Sequence, residues 1–230
     1  MPIFIVKNNP QLTDPILLTK EDEHHLHRVM RAKIGNEIYV TNNNGIKAIA
    51  RLTGLNPLII EIVAKHTQPP PIPLTVCLPL IDQKRLEWAV EKLTEINIAA
   101  IQLMTTQRTQ TKKLSQAKID RLFKISETAQ KQSLRTHALQ IHAPRKFDDL
   151  IEPAKKAFFG KINSSQEKHK QQLVFHKTIP SKLFIGPEGG FTKEEQELLE
   201  NSAAQAISLG TTVLKTETAS LVLATKLLYP

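Results

Sequence analysis

The sequence has few of the residues that crosslink a protein or anchor it in a membrane. Its single cysteine, Cys77, excludes an intramolecular disulfide and a metal site built from cysteines. No apolar run approaches the roughly 20 residues that a membrane-spanning helix requires. Residues 1–7 lack the charged and apolar segments of a secretory signal, so we expect a cytoplasmic location.

Acidic residues are scarce relative to basic ones. The chain has 31 Lys and Arg against 22 Asp and Glu, which gives a formal net charge of +9. Residues 107–146 hold ten of the basic residues, but their only acids are Asp120 and Glu127. A solvated helix face would explain such a cluster, yet its local excess of positive charge favours a polyanionic partner such as RNA.

A proline-rich segment divides the chain. Four of the five residues from Pro69 to Pro73 are prolines, which continue neither a helix nor a central strand and form a stiff, extended spacer. We therefore predict two domains, residues 1–68 and 74–230.

The first part combines β-type patterns with one helix. Thr19 precedes three acidic residues, as at a capped helix N-terminus, and we expect this helix to end at Gly35. Residues 41–45 are typical of a hairpin turn. Strands are predicted at Ile3–Val6, Glu37–Val40, Ile46–Leu52 and Leu58–Val63. A small β-barrel-like domain with one helix accounts for these patterns.

The second part alternates strand and helix patterns, which predicts an α/β domain with a mainly parallel sheet and helices on both faces. Thr192 and Glu195 have capping-box spacing at the start of one helix. Strands are predicted at Leu74–Leu80, Ile98–Met104, Ala138–His142, Ala157–Phe159, Lys182–Ile185 and Ala206–Leu209. Helices are predicted near 83–97, 115–132, 192–203 and 216–228.

Two loops at predicted strand ends are the main candidates for a ligand site. Residues 186–190, Gly-Pro-Glu-Gly-Gly, allow a sharp turn and a close approach of a ligand to the backbone, although a purely structural turn would also explain the glycines. Residues 209–219 place polar side chains at a helix start beside Val213 and Leu214. This mixture suits a flat, partly apolar ligand such as adenosine.

These loops resemble those of the SPOUT superfamily of S-adenosylmethionine-dependent RNA methyltransferases. More narrowly, residues 185–191 and 209–219 are similar to motifs of the ribosomal RNA small-subunit methyltransferase E family, which methylates N3 of a uridine in 16S rRNA. Residues 24–35 and 88–95 also resemble segments of this family, so the likeness runs almost the full length of the chain.

The resemblance implies an α/β fold made of a small N-terminal PUA-like β-barrel domain and a C-terminal SPOUT-type trefoil-knot domain. It also implies a homodimer, S-adenosyl-L-methionine as cofactor, 16S rRNA or the small ribosomal subunit as partner, and no metal. The cofactor-binding residues carried over by position are Ile185, Gly186, Pro187, Glu188, Gly189, Gly190, Leu209, Gly210, Val213, Leu214, Thr216, Thr218 and Ala219.

Candidates for RNA binding and catalysis are mostly basic residues. Lys215 and Glu217 lie in the second loop, and the cations Arg108, Arg135 and Lys215 are candidates to stabilise negative charge on the target uracil. Glu188 and Glu217 are candidates for the general base, but both would serve equally well as loop anchors. The predicted RNA-binding residues are Arg28, Arg31, Arg108, Lys112, Lys113 and Arg135.

Three histidines close together in the sequence, at positions 24, 25 and 27, suggest a metal site. We prefer the hypothesis that this segment forms a basic edge that faces RNA. His24 and His27 would share a helix face, but no third ligand is apparent beside them. Trp88 and Cys77 are predicted to lie in the core.

Several positions depart from the family pattern. Thr212 and Lys215 stand where the family usually has arginines, Leu134 stands where it tends to have glycine, and Lys7 stands in a strand where we expect an arginine. These departures keep two alternatives open. One is a non-catalytic RNA-binding or ribosome-assembly protein of the same fold, and the other is a SPOUT methyltransferase with another RNA target.

Overall fold

The computed structural model describes residues 3–151, 156–161, 175–208 and 210–229. The chain forms two compact units. The first comprises Met1–Pro70 and Glu127–Ala138, and the second comprises Pro71–Ser126 and Leu139–Pro230. The division into domains of residues 1–68 and 74–230 stays a prediction.

The first unit is built on a four-stranded sheet whose strand order is β1-β2-β3-β4. β1 pairs with β2 in parallel, whereas β2, β3 and β4 form an antiparallel meander. Buried side chains such as Phe4, Ile38 and Leu52 make up its apolar core. The strands are β1 Ile3–Ile5, β2 Glu37–Thr41, β3 Ile46–Leu55 and β4 Leu58–Thr67.

The helix of the first unit is shorter than predicted. The side chain of Thr19 accepts a hydrogen bond from the backbone N–H of Asp22, as expected, and starts α1, Lys20–His24. The helix continues as a π-helical turn, His25–Val29. It ends because Arg31 adopts a left-handed φ of 49° and the N–H of Ala32 donates to the carbonyl of Leu26. The expected end at Gly35 was therefore wrong.

The second unit contains a six-stranded sheet in which every pairing is parallel, in the order β10-β8-β9-β5-β6-β7. This confirms the predicted α/β class. The strands are β5 Leu74–Pro79, β6 Ala100–Thr105, β7 Gln140–Lys146, β8 Lys156–Lys161, β9 Ser181–Phe184 and β10 Gln205–Ser208. The helices are α2 Gln83–Glu95, α3 Gln116–Ser133, α4 Lys193–Asn201 and α5 Thr216–Leu228.

Alternation along the strands creates two apolar cores, one on each face of this sheet. Val76 and Leu78 of β5 belong to a cluster that includes residues of α2 and α5, whereas Cys77 joins a second cluster with Leu199 of α4. Because successive side chains of a strand point to opposite faces, helices cover both sides of the sheet. Cys77 is fully buried, as predicted.

Trp88 does not lie in the core, contrary to the prediction. The buried residues of α2 are Leu86, Ala89, Val90, Leu93 and Thr94, which form one stripe at helical spacing. Trp88 lies off this stripe and remains 39% exposed. Within the described ranges, no helix has both the length and the apolar character needed to cross a membrane.

Candidate functional site

The site lies where the strand order of the parallel sheet reverses. The chain runs outward from β5 through β6 to β7, but β9 pairs with the opposite side of β5. The loops that follow β5 and β9 therefore diverge from a topological switch point, which is the usual ligand crevice of an open α/β sheet. Residues 80–82 and 185–192 are these two loops.

The glycine-rich loop after β9 forms a tight turn. Gly190 has a φ of 69°, and its N–H donates to the carbonyl of Pro187 over 2.8 Å. A Cβ atom on Gly189 would approach Cδ of Arg108 to 3.3 Å. Ile185 and Pro187 are buried, whereas Gly189 is exposed. The loop thus presents its backbone at the surface while its apolar side chains hold it to the sheet.

Helix α4 fixes the far end of this loop. Thr192 accepts a hydrogen bond from the N–H of Glu195, and the carboxylate of Glu195 accepts one from the N–H of Thr192. This confirms the predicted capping box. The other oxygen of Glu195 accepts from the N–H of Gln107 over 2.8 Å, which joins the loop after β6 to the same helix start.

The second loop is described from Gly210 onward, and Leu209 lies outside the described residues. Gly210 has a φ of 91°, and a Cβ atom added there would meet no atom within 4 Å. Val213 is 73% exposed, which is unusual for a large apolar side chain. The hydroxyl of Thr216 donates to the carbonyl of Gly186 over 3.1 Å, so the two loops are in direct contact.

Arg85, which is not among the site residues predicted from the sequence, connects the two loops through ion pairs. Its guanidinium donates three hydrogen bonds to the carboxylate of Glu217, at 2.6 to 3.0 Å, and one to Glu188 at 2.8 Å. Arg85 lies in the first turn of α2, which Asp82 caps directly after β5. The signal in the sequence that could have identified Arg85 is its position just after the carboxyl end of a predicted strand, where ligand sites of parallel sheets usually lie.

The pKa shifts of this cluster show that both partners stay charged. The hydrogen bonds with Glu217 raise the pKa of Arg85, and they outweigh the lowering effect of burial. Burial raises the pKa of Glu217, but the hydrogen bonds from Arg85 and a backbone N–H, together with the positive charges of Arg85 and Lys215, lower it more. A lowered pKa makes Glu217 a weak base, and Arg85 already donates three hydrogen bonds to its carboxylate. Glu217 therefore fits the role of loop anchor better than that of general base.

Arg108 supports the glycine-rich loop from the side of β6. Its guanidinium donates to the carbonyls of Gly189 and Phe191, over 2.6 and 3.4 Å. Lys112 and Lys113 are both exposed, and Lys112 also donates a hydrogen bond to the carbonyl of Thr106. The structure thus brings Arg108, which is exposed, to the predicted cofactor loop.

The remaining predicted residues belong to the first unit. Arg28 and Arg31 are exposed there. Arg135 is only 5% exposed, and its guanidinium donates to the carbonyls of His137 and Ala138. Burial lowers the pKa of Arg135 to about 10. These contacts support a structural role for Arg135, and its proposed catalytic and RNA-binding roles stay predictions.

Among the described residues, His24, His25 and His27 do not form a metal site with other side chains. His24, His25 and His27 are exposed. The described ranges contain no group of three or more His, Cys, Asp or Glu residues placed to hold a metal ion.

Family models match both parts of the chain. A model described as RNA methyltransferase domain matches residues 68–228, and one described as RNA methyltransferase PUA domain matches residues 18–64. These matches agree with the resemblance found in the sequence and identify the first unit as PUA-like.

Curated relatives carry one common name, ribosomal RNA small subunit methyltransferase E. The protein of Bacillus subtilis is 28% identical over 236 residues, which cover 95% of this chain and 91% of that protein. The protein of Aquifex aeolicus is 26% identical over 89% of this chain and 90% of its own length.

Solved structures share the fold. The ribosomal RNA small subunit methyltransferase E of Neisseria gonorrhoeae, solved with S-adenosyl methionine bound, matches with a TM-score of 0.81 and 25% identity, over 98% of this chain and 97% of that one. A probable rRNA methyltransferase of Porphyromonas gingivalis matches with a TM-score of 0.83 over 98% and 96% of the two chains, and its 22% identity supports the fold alone.

Proposed function

Because the chain belongs to the RNA methyltransferase domain family, we propose that it transfers a methyl group from S-adenosyl-L-methionine to N3 of a uridine in 16S rRNA. The observation that carries the proposal is the direct contact of the two loops, Thr216 to Gly186, in a chain whose relatives are named for this class of reaction. The relatives match over nearly the whole chain, so both units enter the comparison.

The two loops fit an adenosyl cofactor. Gly190 and Gly210 have open space where a Cβ atom would stand, and Val213 offers an exposed apolar surface next to backbone amides. The cofactor supplies a methyl group that its sulfonium already activates. The residues proposed to hold it are Ile185, Gly186, Pro187, Glu188, Gly189, Gly190, Leu209, Gly210, Val213, Leu214, Thr216, Thr218 and Ala219.

The residues of the chain have to orient the uridine and stabilise its charge. Uridine N3 carries a proton and lies on the pairing edge, so the base must be unpaired when it enters the site. Loss of that proton leaves negative charge on the uracil, and the proposal assigns its stabilisation to Arg108 and Lys215, both of which are exposed cations. Arg85 holds the two loops in a fixed relative position, because its guanidinium donates hydrogen bonds to Glu188 in one loop and to Glu217 after the other.

Basic residues in both units provide the proposed RNA contacts. Arg28 and Arg31 are exposed in the first unit, and Arg108, Lys112 and Lys113 are exposed in the second. The net charge of +9 supports a polyanionic substrate. A homodimer, a trefoil knot and a cytoplasmic location accompany this proposal and stay predictions.

Calorimetry with S-adenosylhomocysteine tests the cofactor site. We expect the protein to bind this product, and we expect Thr216→Val to weaken binding about tenfold, because the isosteric change removes the hydrogen bond that joins the loops. Thr225→Val is the matched control: its hydroxyl also donates to a backbone carbonyl in α5, but away from the loops. Absence of product binding to the unaltered protein would rule out the proposed cofactor.

Reverse transcription tests the reaction itself. A methyl group at N3 blocks base pairing and stops the polymerase, so the stop should disappear from 16S rRNA of a strain that lacks this gene. A stop that persists in that strain would show that another enzyme makes the modification. The same assay across all stable RNAs distinguishes the two alternatives, because another RNA target loses its stop whereas a non-catalytic assembly protein changes none.

A further inference from the structure

A cavity of about 370 Å³ lies within the first unit, and none of its lining residues belongs to the cofactor loops. Ile3 and Phe4 of β1 form its apolar floor, and both are almost fully buried. Glu21 and His25 line one side, and Gln132 lines the other. Its volume lies in the range of sites that hold small organic groups.

Two of the residues that line this cavity, Asp22 and Lys131, form an ion pair. Lys131 lies 3.0 Å from one oxygen of the Asp22 carboxylate, and the hydroxyl of Thr19 donates to the other oxygen over 2.9 Å. Asp22 therefore has little capacity left for a ligand. Glu21 and Gln132 differ from it, since neither side chain makes a hydrogen bond within the described part of the chain.

The chemistry of the lining selects against anions and for a flat, neutral group. The carboxylate of Glu21 repels a phosphate, because Lys131 compensates the charge of Asp22 and leaves that of Glu21 unpaired in the lining. The ring of His25 stands edge to face against Phe4, with centroids 6.3 Å apart, and this exposed imidazole offers a surface on which a planar ring can stack. A lining with one free carboxylate and one free amide suits a planar ligand that presents N–H donors.

We propose that this cavity binds an unpaired guanine of the RNA, an inference that rests on the proposed RNA substrate. Guanine is the one standard base that presents two adjacent N–H donors, N1–H and the 2-amino group, to a single carboxylate. Glu21 accepts both, and Gln132 serves the remaining edge. Uracil offers one N–H between two carbonyl oxygens, which the carboxylate repels.

The surroundings match the charge of the attached backbone. Arg28 lies three residues beyond His25 on the same helical segment, and the exposed Arg31 follows where that segment ends. These guanidinium groups are available for the phosphates that flank the bound base. The first unit thereby recognises a nucleotide other than the uridine that is methylated.

Trinucleotides test the inference in the full-length chain. We expect UGU to bind about ten times more tightly than UIU, because inosine lacks only the 2-amino group and so loses one hydrogen bond to a charged acceptor. Nuclear magnetic resonance should show shifts at the backbone amides of Phe4 and His25. Equal affinity for UGU and UIU, or shifts confined to other residues, would overturn the proposal.

Two variants separate the carboxylate from general charge effects. Glu21→Gln should abolish the preference for UGU over UIU. Glu23→Gln removes the same charge from the same first turn, but Glu23 does not line the cavity, so the preference should remain. Retention of the preference in Glu21→Gln would contradict the assigned contact.

The cofactor measurements keep this test separate from the proposed function. If the chain neither binds S-adenosylhomocysteine nor methylates rRNA, a preference for UGU still supports the guanine site. If methylation occurs and UGU is not preferred, the guanine site is wrong and the enzyme assignment stands.

Discussion

At the scale of single residues, Arg85 decides whether the two loops remain together. Its side chain is 28% exposed and that of Glu217 is 11% exposed, so this ion pair is largely desolvated. An arginine whose planar fork contacts two carboxylates from different loops constrains both of them. The loops therefore depend on a residue that lies in neither.

Replacement of Arg85 by methionine should destabilise the protein by about 2–3 kcal/mol, since Glu217 would be left as a buried charge without its partner. Urea denaturation measures this change. Arg121→Met is the control: Arg121 also pairs with a glutamate, Glu87, but its side chain is 64% exposed, and we expect a clearly smaller loss of stability because solvent screens this pair.

A double variant checks the cause of that loss. Arg85→Met combined with Glu217→Met removes both charges and should recover part of the stability lost in the single variant. Full additivity of the two losses would show that the pair contributes through packing alone.

Residue-scale predictions from the sequence succeeded where the local pattern carries the information. The glycine turn was predictable because only glycine readily adopts the φ of 69° found at Gly190. The contacts of Arg85 with Glu188 and Glu217 join residues distant in the sequence, and no local pattern encodes them.

At the scale of elements, the capping box of α4 holds the glycine-rich loop at its C-terminal side. Thr192→Ala should lower the free energy of unfolding by about 1–2 kcal/mol, because the N–H of Glu195 loses its acceptor. Thermal denaturation measures the effect. Lys193→Ala, in the exposed first position of the same helix, should change stability by less than about 0.5 kcal/mol. Equal effects of the two changes would argue against the cap.

Helix ends were predictable only where the cap residue has a specific chemistry. Thr19 and Thr192 begin helices because their hydroxyl oxygens satisfy free N–H groups. The end of the first helix was missed because Arg31, which is not a glycine, adopts the left-handed conformation. The packing around that turn determines this conformation, which composition does not reveal.

At the scale of the whole molecule, the net charge predicts how RNA binding depends on salt. Each phosphate contact with a single strand lowers the slope of log K against log salt by about 0.7. Lys113→Gln should make the slope for a 12-nucleotide RNA less steep by about that amount, as fluorescence anisotropy measures. Lys177→Gln removes an exposed lysine that lies outside residues 107–146 and far in the sequence from Arg28 and Arg31, so it should leave the slope unchanged. The same change in both variants would contradict a localised RNA surface.

The α/β class was predictable from the alternation of strands and helices, since a parallel sheet requires a crossover between its strands. The set of chain segments that make up the first unit was not predictable. Residues 127–138 belong to this unit and contact it through bonds such as the hydrogen bond from the N–H of Ala138 to the carbonyl of Asn43. The proline-rich segment marks one boundary of the unit but does not indicate that a later segment returns to it.

This discontinuity has a consequence for biosynthesis. The ribosome releases the chain from its N-terminus, and domains ordinarily fold in the order in which they emerge. The first unit lacks Thr136, whose carbonyl accepts a hydrogen bond from Gly45, until translation has passed residues 71–126 of the second unit. The nascent sheet of residues 3–67 therefore cannot complete its unit when it leaves the ribosome, and it has to wait for residues 127–138.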